Sequence, residues 1–99
     1  MRIYFTPEAD EQSERCDTWW RENRPATRGL FARELAEVKA LLLIAPNVGP
    51  VYAMLDGQPV RRILMKKTRT HVYYGLDADG ALVTVYSVWG APRGRGPKL

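Results

Sequence analysis

Apolar residues recur at helical spacing in two stretches of the first half of the chain. The first stretch follows Thr6-Pro7, where threonine suits a helix N-cap and proline the first helical turn, and it ends before Pro25. The second ends at Pro46, and its apolar positions follow steps of three and four: Leu30, Phe31, Leu35, Val38, Leu41, Leu42 and Ala45. The pattern predicts two amphipathic helices in a hairpin, with Thr27 as the N-cap of the second.

β-rich segments flank this hairpin on both sides. Residues 2–6 predict a first strand, and residues 48–59, which contain Gly49-Pro50 and Asp56-Gly57, are expected to form a loop. Three strands follow at residues 60–66, 72–76 and 81–89, with a turn at residues 77–80. The expected fold is therefore α+β in the order β-α-α-β-β-β, with the helical hairpin packed on a mainly antiparallel four-stranded sheet.

Two helices cover only one face of such a sheet, so apolar or aromatic residues on the other face would indicate a surface that binds a partner. Strict alternation in the last strand places Leu82, Thr84, Tyr86 and Val88 on one face and Val83, Val85, Ser87 and Trp89 on the other. Tyr4, Tyr73 and Trp89 remain as aromatic residues that the helices need not cover. They indicate that the second face meets a partner.

Length and cysteine content limit the class of protein. A chain of 99 residues fits one domain, residues 1–99, of which residues 90–99 are expected to form a flexible basic tail. The longest apolar run, residues 40–46, is far short of the roughly 20 residues of a membrane span. Cys16 is the single cysteine, so no internal disulfide forms, and it is expected to be a small buried hydrophobe of the first helix. A cytoplasmic protein without a metal or cofactor is expected.

Charge is concentrated in the second half of the chain. Residues 1–50 carry seven Lys or Arg against eight Asp or Glu, a net of −1, whereas residues 51–99 carry eight against three, a net of +5. This asymmetry predicts an anionic partner, either nucleic acid or an acidic protein. The candidate target-binding residues are Lys66, Lys67, Arg69, Arg93, Arg95 and Lys98. A solvated hairpin tip and a frayed end are the structural alternatives for these two groups.

Several short motifs resemble one family across nearly the whole chain. They are Thr6-Pro7-Glu8-Ala9, Ala45-Pro46-Asn47-Val48-Gly49, Val60-Arg61-Arg62, His71-Val72-Tyr73-Tyr74 with the turn at residues 77–80, and the closing segment from Val88 to Pro97. In this order and spacing they resemble the RelE/ParE toxins of type II toxin–antitoxin systems, also called plasmid stabilisation proteins. The resemblance implies a toxin that forms a hetero-oligomer with a small, acidic, DNA-binding antitoxin.

The family contains two activities, and the resemblance implies different residues for each. RelE-like members are ribosome-dependent endoribonucleases that use Lys and Arg on the phosphate and a tyrosine near the carboxyl end. Lys66, Arg69, His71 and Arg93 would supply such a site here, with His71 as acid or base. ParE-like members inhibit DNA gyrase without cutting nucleic acid.

The closing segment favours the second activity. Residues 90–99 contain three glycines, two prolines and no tyrosine, so the RelE-like carboxyl-terminal helix and tyrosine have no match. We therefore expect a ParE-like gyrase inhibitor rather than an enzyme, with an antitoxin segment over the helical hairpin and the sheet edge. A non-toxic binding module on the same fold is a third interpretation, because a fold does not fix a function.

Overall fold

Two helices pack on one face of a five-stranded mixed sheet. The computed structural model describes residues 1–90, 97 and 99 of the chain. Its elements are β1 (Arg2–Phe5), α1 (Pro7–Asn23), a short 3-10 turn (Pro25–Thr27), α2 (Leu30–Ile44), β2 (Val51–Leu55), β3 (Gln58–Met65), β4 (Thr70–Leu76) and β5 (Leu82–Gly90). The α+β class and the helical hairpin are confirmed, whereas the expected number of four strands and the β-α-α-β-β-β order are wrong.

The fifth strand is β2, in the segment that we expected to be a loop. The sheet order is β1-β5-β4-β3-β2, with β1 parallel to β5 and every other neighbouring pair antiparallel. Asp56 and Gly57 both have positive φ, 51° and 78°, and they join β2 to β3 in a two-residue turn. Two such residues match the twist of a hairpin, so Asp-Gly here joins two paired strands.

The predicted N-cap of the first helix is confirmed, whereas the predicted N-cap of the second helix is wrong. The Thr6 Oγ1 accepts a hydrogen bond of 3.1 Å from the Ala9 N–H, as an N-cap of α1 does. Thr27 lies in the 3-10 turn instead, and the residue before α2 is Gly29, whose position has no side-chain cap.

The core lies between the helices and the sheet. Its buried members are Ala9, Phe31, Leu35, Val38, Leu42, Met65, Val72, Tyr74, Val83, Val85 and Val88. Cys16 and Trp20 of α1 pack against this core and are partly buried, whereas Trp19 is 47% exposed. Neither helix of the described part is long and apolar enough to cross a membrane.

A bulge in β5 changes which side chains reach the core. Tyr73 pairs with Ser87 but Tyr74 pairs with Val85, so Tyr86 is an extra residue in β5. Because of this shift, Val85 and Val88 both enter the core, and the strict alternation that we expected is wrong beyond Val85. Side-chain hydrogen bonds fasten the bulge to α1, since the Gln12 Oε1 accepts from the Ser87 hydroxyl at 3.1 Å and from the Val88 N–H at 2.8 Å.

Candidate functional site

Of the basic residues that the sequence predicts to bind a target, one group lies in the part of the chain that the structure describes and the other does not. Lys66, Lys67 and Arg69 are exposed in the turn between β3 and β4, and His71 is the second residue of β4. Arg93, Arg95 and Lys98 lie outside the described residues. Within the described residues, the candidate site is therefore the β3–β4 turn and the sheet face beside it.

The β3–β4 turn is held by a carboxylate from α2. Glu34 is buried, and its two oxygens accept the Lys67 N–H at 2.8 Å and the Thr68 N–H at 3.0 Å. The Thr68 hydroxyl donates a third bond to the same carboxylate at 2.7 Å. Arg69 completes the turn at a φ of 56°, in the left-handed region. The three exposed cations are thus carried on a turn whose backbone is fixed by hydrogen bonds.

His71 lies on the face of the sheet opposite the helices, because its neighbour Val72 enters the core, and the charges of Arg62 and Arg69 both act on it. Burial lowers the pKa of His71 from 6.5, and the charges of Arg62 and Arg69 lower it further. Its ring meets that of Tyr73 edge to face, with ring centroids 5.8 Å apart. A lowered pKa keeps the imidazole neutral at pH 7, so one ring nitrogen is free to accept a proton or a hydrogen bond.

Two tyrosines continue this cluster toward β2. The Tyr52 and Tyr73 rings meet edge to face at 4.8 Å, and the Arg62 guanidinium lies 5.1 Å from the Tyr52 ring centroid. Tyr73 is buried, and Tyr52 is 37% exposed. We call Tyr52, Arg62, His71 and Tyr73 the aromatic–basic face.

The loop before β2 positions this face. Gly49 donates its N–H to the Tyr74 hydroxyl at 3.0 Å, and Arg61 donates to the Gly49 carbonyl at 2.8 Å. A Cβ at Gly49 would lie 2.5 Å from the Arg62 carbonyl oxygen, so only glycine allows this approach of the loop to β3. Burial raises the pKa of the Tyr74 hydroxyl above its usual 10.0, which keeps the hydroxyl protonated at pH 7.

The sequence prediction included His71 and the turn but missed Arg62, Tyr52 and Glu34 as parts of the site. Arg62 and Tyr73 are register partners of β3 and β4, which places them side by side. Tyr52 was expected in a loop, so its contact with Tyr73 had no sequence signal. Glu34 interrupts the apolar stripe of α2. That interruption was the one sequence signal that could have predicted a buried carboxylate with hydrogen-bond donors of its own.

The chemistry of the aromatic–basic face suits a phosphate or another anion. The guanidinium of Arg62, with that of Arg69 in the neighbouring turn, can bind an oxyanion, and the partly exposed Tyr52 ring offers a surface on which a base can stack. Within the described residues, no group of three His, Cys, Asp or Glu side chains converges in a way that would hold a metal ion.

No protein-family model and no curated protein matches this chain. The resemblance to RelE/ParE toxins, based on short motifs, stays a prediction.

Proposed function

We propose that the protein is the toxin of a type II toxin–antitoxin pair, of the ParE-like kind that inhibits DNA gyrase and is neutralised by a small acidic antitoxin. The observation that carries the proposal is the β3–β4 turn, where Glu34 fixes the backbone under Lys66, Lys67 and Arg69. A rigid group of exposed cations binds an anionic surface with little loss of backbone freedom.

The fold also supports this proposal. The resemblance implies a helical hairpin on one face of a mainly antiparallel sheet, and the structure has that arrangement with one strand added. Strands β3 and β4 and the turn between them carry five Lys or Arg and no Asp or Glu, while α1 and α2 carry both signs of charge. A target and an antitoxin can therefore use different surfaces of a chain this small.

The test is controlled expression in cells that lack the antitoxin, together with a supercoiling assay on purified gyrase. We expect growth arrest, a DNA-damage response and inhibition of supercoiling. The triple variant Lys66→Gln, Lys67→Gln and Arg69→Gln is expected to lose these effects. Its matched control removes three exposed cations near the start of α2, through Arg24→Gln, Arg28→Gln and Arg33→Gln, and is expected to remain toxic. Normal growth with abundant folded protein would favour a non-toxic binding module.

The aromatic–basic face favours a second candidate, a ribosome-dependent mRNA endonuclease. In that reaction the neutral His71 would accept the proton of a ribose 2′-hydroxyl as its oxygen attacks the adjacent phosphorus. The bond from phosphorus to the 5′-oxygen breaks, and that oxygen takes a proton from water. Arg62 and Arg69 would stabilise the negative charge that develops on the phosphate oxygens. Tyr52, which is 37% exposed, would then take the role of the tyrosine that RelE-like members carry near the carboxyl end.

One comparison separates the two candidates. His71→Gln and Arg62→Gln change the aromatic–basic face and leave the three turn cations in place. The gyrase inhibitor is expected to tolerate both substitutions, whereas the nuclease loses activity with either one. Mapping of mRNA ends in arrested cells supplies the readout: codon-positioned cuts that disappear in His71→Gln would decide for the nuclease.

A further inference from the structure

Strand β2 is an edge strand without charged residues. It stands at the end of the sheet order, and among the described strands it pairs only with β3. Residues 40–55 contain no Asp, Glu, Lys or Arg, in a chain that has 11 acidic and 15 basic residues. Met54 is 62% exposed and Val51 is 52% exposed, although both are apolar. Edge strands usually carry charges that prevent pairing with another chain, and β2 lacks this protection.

The backbone of Met54 points toward the free edge. Leu55 and Gln58 close the two-residue turn, so they form a hydrogen-bonded pair. Such pairs alternate with non-hydrogen-bonded pairs in an antiparallel ladder, and Met54 opposite Pro59 is therefore of the second kind. The Met54 N–H and carbonyl thus point away from β3. The irregularity of β2 lies before Ala53, so the strand around Met54 keeps its regular pairing.

We propose that β2 pairs in antiparallel fashion with β2 of a second copy of this chain, about a two-fold axis beside Met54. Each Met54 then donates its N–H to the carbonyl of Met54 in the other copy, and the two sheets become one sheet of ten strands. This register places Ala53 opposite Leu55 of the second copy, so apolar residues face apolar residues. Two-fold symmetry forms each contact twice, as in other interfaces between identical chains.

The charges near this edge also favour a second copy. The register places Asp56 opposite Tyr52 of the second copy, and the Arg62 guanidinium lies 5.1 Å from the centroid of that ring. Asp56 is exposed and forms no salt bridge within the described part of the chain. A carboxylate of each copy therefore meets a guanidinium of the other. The two β3 strands stand about 14 Å apart, three strand spacings, which exceeds the Debye length of about 8 Å at physiological ionic strength. Repulsion between their arginines is accordingly screened.

The pairing changes the surroundings of the aromatic–basic face. Antiparallel pairing about an axis perpendicular to the sheet keeps both copies of this face on the same side of the ten-stranded sheet. Asp56 of the second copy adds a carboxylate beside Arg62, so self-association competes with an anion for that guanidinium. A pair of five-residue strands buries less area than a standard interface of roughly 1,600 Å², so we expect a dimer in the micromolar range of concentration.

Sedimentation velocity of the intact chain over a range of concentrations measures the association. We expect a reversible monomer–dimer equilibrium that Met54→Lys weakens at least about tenfold, because two ammonium groups would then face each other. The matched control is Tyr4→Lys on the opposite edge strand β1, where Tyr4 is 51% exposed; it is expected to leave the dimer intact. Equal weakening by both variants would indicate general charge repulsion and overturn the proposal. A chain that stays monomeric up to millimolar concentration would overturn it as well.

Disulfide trapping tests the register. In a hydrogen-bonded antiparallel pair the two Cα atoms lie about 5.5 Å apart, a distance that a disulfide spans. In a Cys16→Ser background, Met54→Cys is expected to form a covalent dimer under mild oxidation, and Tyr4→Cys is expected to stay monomeric. Urea unfolding of the reduced chains checks that both variants are folded. Trapping by Tyr4→Cys alone would place the contact at β1 and overturn the proposal.

Two further measurements test the hydrogen bonds and the charge pair. Amide hydrogen exchange at Met54 is expected to slow as the concentration rises, and exchange that does not depend on concentration would overturn the strand pairing. Asp56→Asn suits the positive φ of the turn and removes the charge, so it is expected to weaken the dimer several-fold. Asp79→Asn, at an exposed position before β5, is the matched control and is expected to have no effect. Equal effects of the two substitutions would overturn the contact between Asp56 and Arg62.

Discussion

Thr68 donates both its backbone N–H and its hydroxyl to one oxygen of the Glu34 carboxylate, at 3.0 Å and 2.7 Å. The other oxygen accepts the Lys67 N–H. One side chain of α2 thus satisfies three donors of a turn far away in sequence. A buried carboxylate is costly unless its hydrogen bonds are made, so this contact is specific as well as stabilising.

Removing the Glu34 carboxylate is expected to destabilise the fold and loosen the turn. Glu34→Ala leaves three donors without their acceptor, and we expect a loss of about 3 kcal/mol in the free energy of unfolding. Glu37→Ala, on the same helix but exposed, is expected to cost less than about 0.5 kcal/mol. Urea unfolding of the two variants provides the measurement. Equal losses would show that the turn does not depend on Glu34.

Substitution by alanine is expected to cost more stability at Gly49 than at Gly57. At Gly49 a Cβ would meet the Arg62 carbonyl oxygen at 2.5 Å, so Gly49→Ala is expected to cost roughly 2–3 kcal/mol through displacement of the loop. At Gly57, which has a φ of 78° and nothing within 4 Å of the added Cβ, Gly57→Ala is expected to cost about 1 kcal/mol through backbone strain alone. Thermal or urea unfolding of the two variants measures which substitution lowers the free energy of unfolding more.

The outcome at Gly49 also bears on the aromatic–basic face. Displacement of the loop moves β2, and with it the ring of Tyr52 that packs on Tyr73. Tyrosine fluorescence or ring chemical shifts are therefore expected to change in Gly49→Ala but not in Gly57→Ala. Unchanged Tyr52 signals in Gly49→Ala would show that β2 is positioned by its pairing with β3 alone.

The sequence predicted the helices well because their information is local. Thr6, Pro7 and the apolar stripe of α2 act within a few residues of the chain, and the structure has both helices where these signals lie. Strand β2 was missed because its flanking Gly49-Pro50 and Asp56-Gly57 are also loop signals. What makes the segment a strand is its pairing with β3, which no local pattern records.

The site was harder to predict because it is assembled across strands and from α2. Arg62 acquires its role through Tyr52 and His71, and these neighbours follow from register. The extra residue at Tyr86 shifted the end of β5 by one position, so simple alternation placed Val88 on the wrong face. Residue type and charge identified the turn cations, but the carboxylate that holds their backbone required the tertiary structure.

The basic residues of the carboxyl-terminal segment remain a prediction from the sequence. Arg93→Ala combined with Arg95→Ala is expected to reduce toxicity, because the two guanidinium groups suit an acidic protein or a DNA backbone. The melting temperature is expected to fall by no more than a few degrees, as for a change below about 1 kcal/mol in a domain of this size. A growth assay and a melting curve on the same variant test this. Full toxicity would show that neither Arg93 nor Arg95 binds the target. A large fall in melting temperature would show that the two residues have a structural role.

His71 offers a direct measurement of the electrostatics of the aromatic–basic face. The chain contains one histidine, so its ring protons give a single titration in proton NMR. Burial, then Arg62 and Arg69, lower its pKa, and we expect a midpoint below 6.5. Arg62→Gln is expected to raise this midpoint only in part, because burial is the larger cause. Arg28→Gln is the matched control, and a midpoint at or above 6.5 in the unmodified chain would contradict the lowered pKa assigned to His71.

The same shift predicts how His71 contributes to stability as pH changes. A folded pKa below the unfolded value means that the unfolded chain binds the proton more readily, so the free energy of unfolding rises with pH across that interval. The stabilisation that neutral His71 provides to the folded chain is fully present above pH 6.5, and it is lost as the pH falls through the folded pKa. His71→Gln is therefore expected to flatten the dependence between about pH 7.5 and 5.5, where most carboxylates stay charged. Urea unfolding at several pH values tests this, and a steeper dependence in His71→Gln would reverse the sign of the assigned shift.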